Sequence, residues 1–217
     1  MNLAPARFSL IEMVHKAIRN ALSHLSLQAG STDFSNKEEV FQLKTATQTI
    51  IDMLNEHAHI ENEYILPLLE GKVPAGAIHD KEDHDIIHAQ QEELLVLLDE
   101  ILRPDTSPAD ATALGHMFYQ NLSLVHSAHL QHMIEEERGS QVLIWQHYTD
   151  EELQQKQGQI MQHLDPSLFL NWMRYFLPAL NARERERMLA IQKAKAPEHV
   201  WAKLQELMQE VLPAAAV

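Results

Sequence analysis

The sequence predicts an all-α protein: an up-down-up-down four-helix bundle with an appended C-terminal helical lobe. Three observations point there. Only six glycines occur in 217 residues, strand-type alternation is scarce, and apolar residues recur over long stretches at intervals of three and four. Short or moderate connections between long helices favour antiparallel neighbours.

The first helix carries Phe8, Ile11, His15, Ile18, Leu22 and Leu25 along one face, then dissolves into "QAGSTDFSN". That loop reads as ending in a capping box, with Ser35 as the cap and Glu38 three residues on. The second helix runs from there to the Pro67 region, with Ile50, Leu54, His57, Glu61, Ile65 and Leu68 on its apolar face, and "GKVPAG" closes it. The third spans Ile78 to Leu102, with His84, His88, Gln91, Leu95, Leu98 and Leu102 in line, and "RPDTSP" stops it. Ser107 and Pro108 are a good cap and first position for the fourth, whose face reads Phe118, Leu122, Val125, His129, His132, Glu136 and Leu143.

After Tyr148 the texture changes. "TDEEL" starts a fresh helix, "LDPSLFLNWMRYFLPAL" is aromatic-rich and begun by Asp165 and Pro166, and the remainder reads as two helices divided at Pro197. The expected division is therefore a bundle over residues 1–148 and a helical extension over 149–217. The aromatic residues Phe169, Trp172, Tyr175, Phe176 and Trp201 are expected to pack this lobe onto the bundle rather than face a partner. A homodimer through the lobe is the alternative use.

Composition limits what the chain can do. Its 45% hydrophobic share is enough to bury one substantial core and a smaller lobe. There is no cysteine, which removes disulfides, zinc ribbons and thiol nucleophiles and leaves nitrogen and oxygen to hold any metal. A formal charge of -14 disfavours nucleic acid and anionic membrane as partners and favours cations. The start, "MNLAPARFSL", lacks a long apolar run and a cleavage site, and no stretch is apolar enough to span a bilayer, so a cytoplasmic protein is expected.

Helical phase then selects candidate ligands. "HAHIENEYILP" holds two pairs spaced by four, His57/Glu61 and His59/Glu63. The first pair falls in the inward series and the second among Asp52, Asn55, Glu56 and Asn62, facing water. His15, His84, His88, His132 and Glu136 occupy inward positions on the other helices. One inward histidine is more often a hydrogen-bonded core residue than a ligand. Five histidines and two carboxylates on four inner faces are not explained that way, because buried polar groups are expensive without compensation. A bound cation supplies it. Two ions sharing two carboxylates and five imidazoles would leave one position open for a small ligand such as dioxygen. Iron is favoured for a carboxylate-bridged pair, with manganese or zinc possible.

These residues resemble the hemerythrin-like, or HHE cation-binding, domains. The resemblance rests on His15 in "EMVHKAIRNAL", on "HAHIENEYILPLL" with its trailing Pro67, on "HDIIH" and on "HMIEEE", and it covers roughly the first 145 residues. It implies that His15, His57, His84, His88 and His132 are terminal ligands and that Glu61 and Glu136 bridge two iron ions. Oxygen-carrying members usually place an aspartate five residues after the last histidine. Here Glu136 stands at four and Glu137 at five, and Glu136 is preferred because it continues the series 125, 129, 132. His129 is either a support for the ligands or a competing ligand.

A ferritin-like arrangement would use Glu12 with His15 and Asp85 with His88, but lacks further inward glutamates. The expected function is binding or sensing of dioxygen or a related small molecule. A di-iron enzyme or repair factor acting on peroxide, nitric oxide or iron-sulfur clusters is the catalytic alternative, with His129, Glu135 and Glu137 as the available proton relays. A metal-stabilised helical interaction protein is the structural one.

Overall fold

The computed structural model describes residues 7–212. Every regular element among them is helical: α1 (Glu12–Ser31), α2 (Lys37–Ile60), a π-helical turn (Glu61–Ile65), α3 (Leu66–Glu70), α4 (Ile78–Leu102), α5 (Pro108–Arg138), α6 (Ser140–His147), α7 (Asp150–Ile160), a 3-10 turn (Pro166–Leu168), α8 (Phe169–Ala179), α9 (Ala182–Lys195) and α10 (Glu198–Val211). None of the described helices is long and apolar enough to cross a membrane. Residues 1–6 of the "MNLAPARFSL" start, on which the expected absence of a cleaved leader rests, lie outside the described residues.

Caps place the helix starts. Ser107 accepts from the Asp110 amide at 3.2 Å with Pro108 at the first position, and Thr149 and Glu152 form a reciprocal capping box for α7. For α2 the cap is Asn36, not Ser35: the Asn36 side chain accepts from the Glu38 amide at 3.1 Å, while Ser35 turns back onto Asp33. The Asx turn at Asp33 uses up the serine, so the helix begins one residue later.

Two further expectations are corrected by the backbone. The second helix is not uniform to Pro67. Proline has no amide hydrogen and its ring crowds the carbonyl four residues back, and the turn before it widens so that the Leu66 amide reaches the Glu61 carbonyl. The fourth helix does not run on to Leu143. It ends at Arg138, and α6 starts after Gly139, where an added Cβ would meet the Glu135 carbonyl at 2.8 Å. Close approach fixes a second glycine: a Cβ at Gly115 would stand 2.1 Å from the Phe34 ring.

The long helices run antiparallel to their neighbours. On α4 and α5, His79 meets Glu135, His84 meets His132 and Gln91 meets His129, so rising numbers face falling ones. The same ordering joins α1 to α5 through His15–Glu137 and Ser26–His126, and α2 to α4 through Asn62–His84, Asn55–His88 and Lys44–Asp99. Helix α1 also packs on α2.

Apolar residues form three clusters. The largest gathers Ile18, Leu22 and Leu25 of α1, Leu43, Ile50 and Leu54 of α2, Leu94 and Leu98 of α4, and Phe118 and Leu122 of α5. A second joins Leu10, Ile11, Ile60, Ile65 and Leu69 to Ile144 and Leu153. Arg7 strengthens that end by donating to Asp150 at 2.9 Å and to the Tyr148 carbonyl at 2.7 Å. Between the two clusters, in register on α1, α2, α4 and α5, lies a layer of histidine and glutamate.

The third cluster belongs to the C-terminal segment and centres on Met173, Leu177, Leu204 and Leu207, with Phe169 and Trp201 against it. Trp172, Tyr175 and Phe176 instead pack on the main core. Helix α8 lies along α1, with Asn20 Nδ2 donating to the Tyr175 carbonyl at 3.0 Å. The aromatic residues thus divide between the two clusters.

Candidate metal centre

Each long helix contributes to the polar layer. His15 comes from α1, His57 from α2 with Glu61 at the first residue of the π turn, His84 from α4, and His132 and Glu136 from α5. His15 and Glu61 are 0% exposed, Glu136 is 2% and His132 is 4%. Their donor atoms form two groups that could each hold a metal ion: His15, His57, Glu61 and Glu136, and Glu61, His84, His132 and Glu136, all atoms of a group lying within 4.8 Å of one another. Glu61 and Glu136 belong to both, so the two groups share both carboxylates.

The orientation of the imidazoles is set from behind. His15 Nδ1 donates to Glu137 Oε1 at 2.9 Å, His84 Nδ1 to Asn62 Oδ1 at 3.1 Å, and His132 Nδ1 to Asp83 Oδ2 at 3.3 Å. An Nδ1–H bound to an oxygen leaves the other nitrogen, Nε2, to face the layer. There His15 Nε2 stands 3.4 Å from Glu136 Oε2, His57 Nε2 and His84 Nε2 each 3.2 Å from Glu61 Oε2, and His132 Nε2 3.5 Å from Glu136 Oε2. Two donors each about 2.1 Å from one ion stand roughly 3.0 to 3.4 Å apart at right or tetrahedral angles. The separations therefore fit ligands of a common ion.

Satisfaction of polar atoms gives the same answer. The buried side-chain atoms without a hydrogen-bond partner include His15 Nε2, His57 Nε2, both carboxylate oxygens of Glu61 and Glu136 Oε2. Each such atom is costly in an apolar surround. All five converge on one spot between two apolar clusters, where a cation would satisfy them together.

Charge redistributes accordingly. Burial pushes His15 down, but the carboxylates of Glu136, Glu137 and Glu61 around the ring outweigh it and hold it well above the usual histidine range. Burial alone would raise Glu61, yet His57, His15 and His84 hold it well below the carboxylate range. Glu136 is pushed up by burial and by the neighbouring Glu61 charge. His57, where burial dominates, falls to about 3. Glu137 resists burial through its bonds to His15 and Arg19 and falls to about 2.

His88 stands apart from the other six predicted ligands. It belongs to neither group and is exposed, with its Nδ1 on Asn55 Oδ1 at 3.2 Å. The reason is phase: the buried series on α4 is His84, Ile87, Gln91, Leu94, Leu98 and Ile101, not the series through His88 and Leu95. His88 lies on the wall of a cavity of about 350 Å³ that reaches His57, His84 and His132 and is closed inside by Gln91 and His129. His129 is buried and its Nε2 lies 2.9 Å from Gln91 Nε2, so it is paired there rather than grouped with the ligands. His59 and Glu63 are exposed, as are Glu12 and Asp85 of the ferritin-like alternative.

Sequence reasoning grouped Asn55 and Asn62 with His59 on the water-facing side, whereas they bond His88 and His84, and it gave no role to Asp83 or Arg19. Asp83 was readable as an acid beside His84, but it supports His132 across the helix interface, and that register is set in three dimensions. No protein-family model and no curated protein matches this sequence.

Proposed function

We propose that the chain is a hemerythrin-like protein in which α1, α2, α4 and α5 form a four-helix bundle around a carboxylate-bridged pair of iron ions. The reading is that it binds or senses dioxygen or a related small molecule. The observation that carries it is the sharing of Glu61 and Glu136 by two histidine groups whose unpartnered atoms converge. His15 and His57 would hold one ion and His84 and His132 the other, with both glutamates between them. His88 is the fifth histidine implied by the resemblance. Its Asn55 support repeats the Asn62 support of His84, and its place on the cavity wall is on the side of His84 and His132.

Iron held by imidazole and carboxylate supplies a redox-active position for small ligands. The side chains here do the rest: Glu137, Asn62 and Asp83 fix the ring planes, and the apolar clusters cover the layer on two sides while the cavity beside His88 reaches it from a third. A binding role is favoured over turnover by the pairing of the three candidate proton relays: His129 is paired with Gln91, Glu137 with His15 and Arg19, and Glu135 with His79 and Gln131.

Metal analysis with absorption spectra in air and after reduction tests this reading. Two iron ions per chain and a visible charge-transfer band that changes with oxygen are expected. Manganese or zinc as the purified metal would keep the site and remove the oxygen chemistry, and a metal-free, colourless protein that takes up no iron would end the proposal.

A further inference from the structure

We propose that His79, Asp83 and Glu135 form a second, surface site for a divalent cation, on the outer side of the α4–α5 interface. His79 and Asp83 lie one turn apart on α4, and Glu135 faces them from α5. Their donor atoms all lie within 4.8 Å of one another, with His79 Nε2 3.0 Å from Glu135 Oε2 and 3.6 Å from Asp83 Oδ2.

Three features favour a cation here. The first is convergence: Asp83 of α4 and Glu135 of α5 meet at one histidine, and among the described residues their ion pairs are with histidines alone. Two carboxylates brought together across a helix interface repel unless a cation lies between them, either a bound metal ion or His79 in its protonated form. The second is preorganisation: Gln131 Nε2 donates to Glu135 Oε1 at 2.8 Å, and His132 Nδ1 holds Asp83 Oδ2 at 3.3 Å. The third is space. The cluster borders a cavity of about 170 Å³ whose inner wall is His132, enough for a cation and several of its waters.

One imidazole and two carboxylates suit manganese, ferrous iron or zinc more than calcium. Asp83 connects the two sites, since it is a ligand outside and the support of His132 inside. A cation held there waits one side chain away from the buried centre.

The test uses iron-loaded protein, briefly washed with chelator and titrated with manganese at neutral pH while the free-ion electron paramagnetic resonance signal is followed. One further manganese per chain is expected. Glu135→Gln and His79→Ala should each weaken it at least about tenfold, with unchanged helicity, because His79 is exposed and Glu135 half-exposed. Absence of saturable binding, or variants that bind like the original chain, would show that His79 and Glu135 form only an ion pair. The count is independent of the buried centre: if that takes no metal, the full-length chain would bind one ion instead of three, and the outer variants would remove it.

Discussion

The Nδ1 of His15 stands 2.9 Å from Oε1 of Glu137, and Arg19 reaches the same oxygen at 2.8 Å. Glu137 belongs to neither donor group and, in the proposed centre, would aim His15 at the metal rather than compete with Glu136. Loss of such an outer partner commonly weakens metal affinity by about 10- to 100-fold. Glu137→Ala should show a loss of that order in chelator competition, and Glu137→Gln, which keeps an acceptor oxygen, a smaller one. Equal affinity in all three proteins would remove the supporting role.

Glu61 is shared by both ligand groups, so its removal should be felt by both ions. Glu61→Gln should lose both on dialysis against a mild chelator. His57→Ala should also lose metal, because His57 is buried in one group, whereas His59→Ala should retain it, because His59 points to water. The opposite ranking of the two histidine variants would overturn the helical register.

How much of this was legible follows from the helices themselves. On α2 and α5 the inward series holds to the site without interruption, so phase alone selects His57, Glu61, His132 and Glu136. On α4 the steps of three and four alternate differently, and a series begun correctly at His84 drifts by one at His88 and Leu95. The π turn has no local signal beyond Pro67. The supports Asn62, Asp83 and Glu137 depend on which residues neighbouring helices bring opposite each histidine, and one sequence does not encode that offset in any local pattern.

His88 decides whether an ion held by His84 and His132 would have a third imidazole. Its ring is held by Asn55 at 3.2 Å on the wall of the cavity that reaches both residues. His88→Ala should release one ion under chelator challenge and retain the other, whereas His129→Ala, acting on a residue paired with Gln91, should retain both. Loss of one ion from the His129 variant alone would transfer the role to His129.

Acid sensitivity of the metal-free chain should report His129 directly. Burial pushes its pKa from the ordinary 6.5 down to about 3. Between those values the unfolded chain binds a proton that the folded chain does not, so stability rises with pH across the window and is lost as pH falls. Each such group contributes up to about 1.4 kcal/mol per pH unit. His57 has the same sign. His15 has the opposite one: its pKa is raised, so its contribution is present at low pH and lost as pH rises through the raised value. A comparison of the chain with His129→Gln cancels His15 and His57, which are common to both. Urea unfolding between about pH 4 and pH 6 should then give a shallower slope for the variant by roughly the contribution of one proton. Parallel slopes would mean that His129 is protonated in the folded protein and that its pairing with Gln91 has a different hydrogen-bond direction.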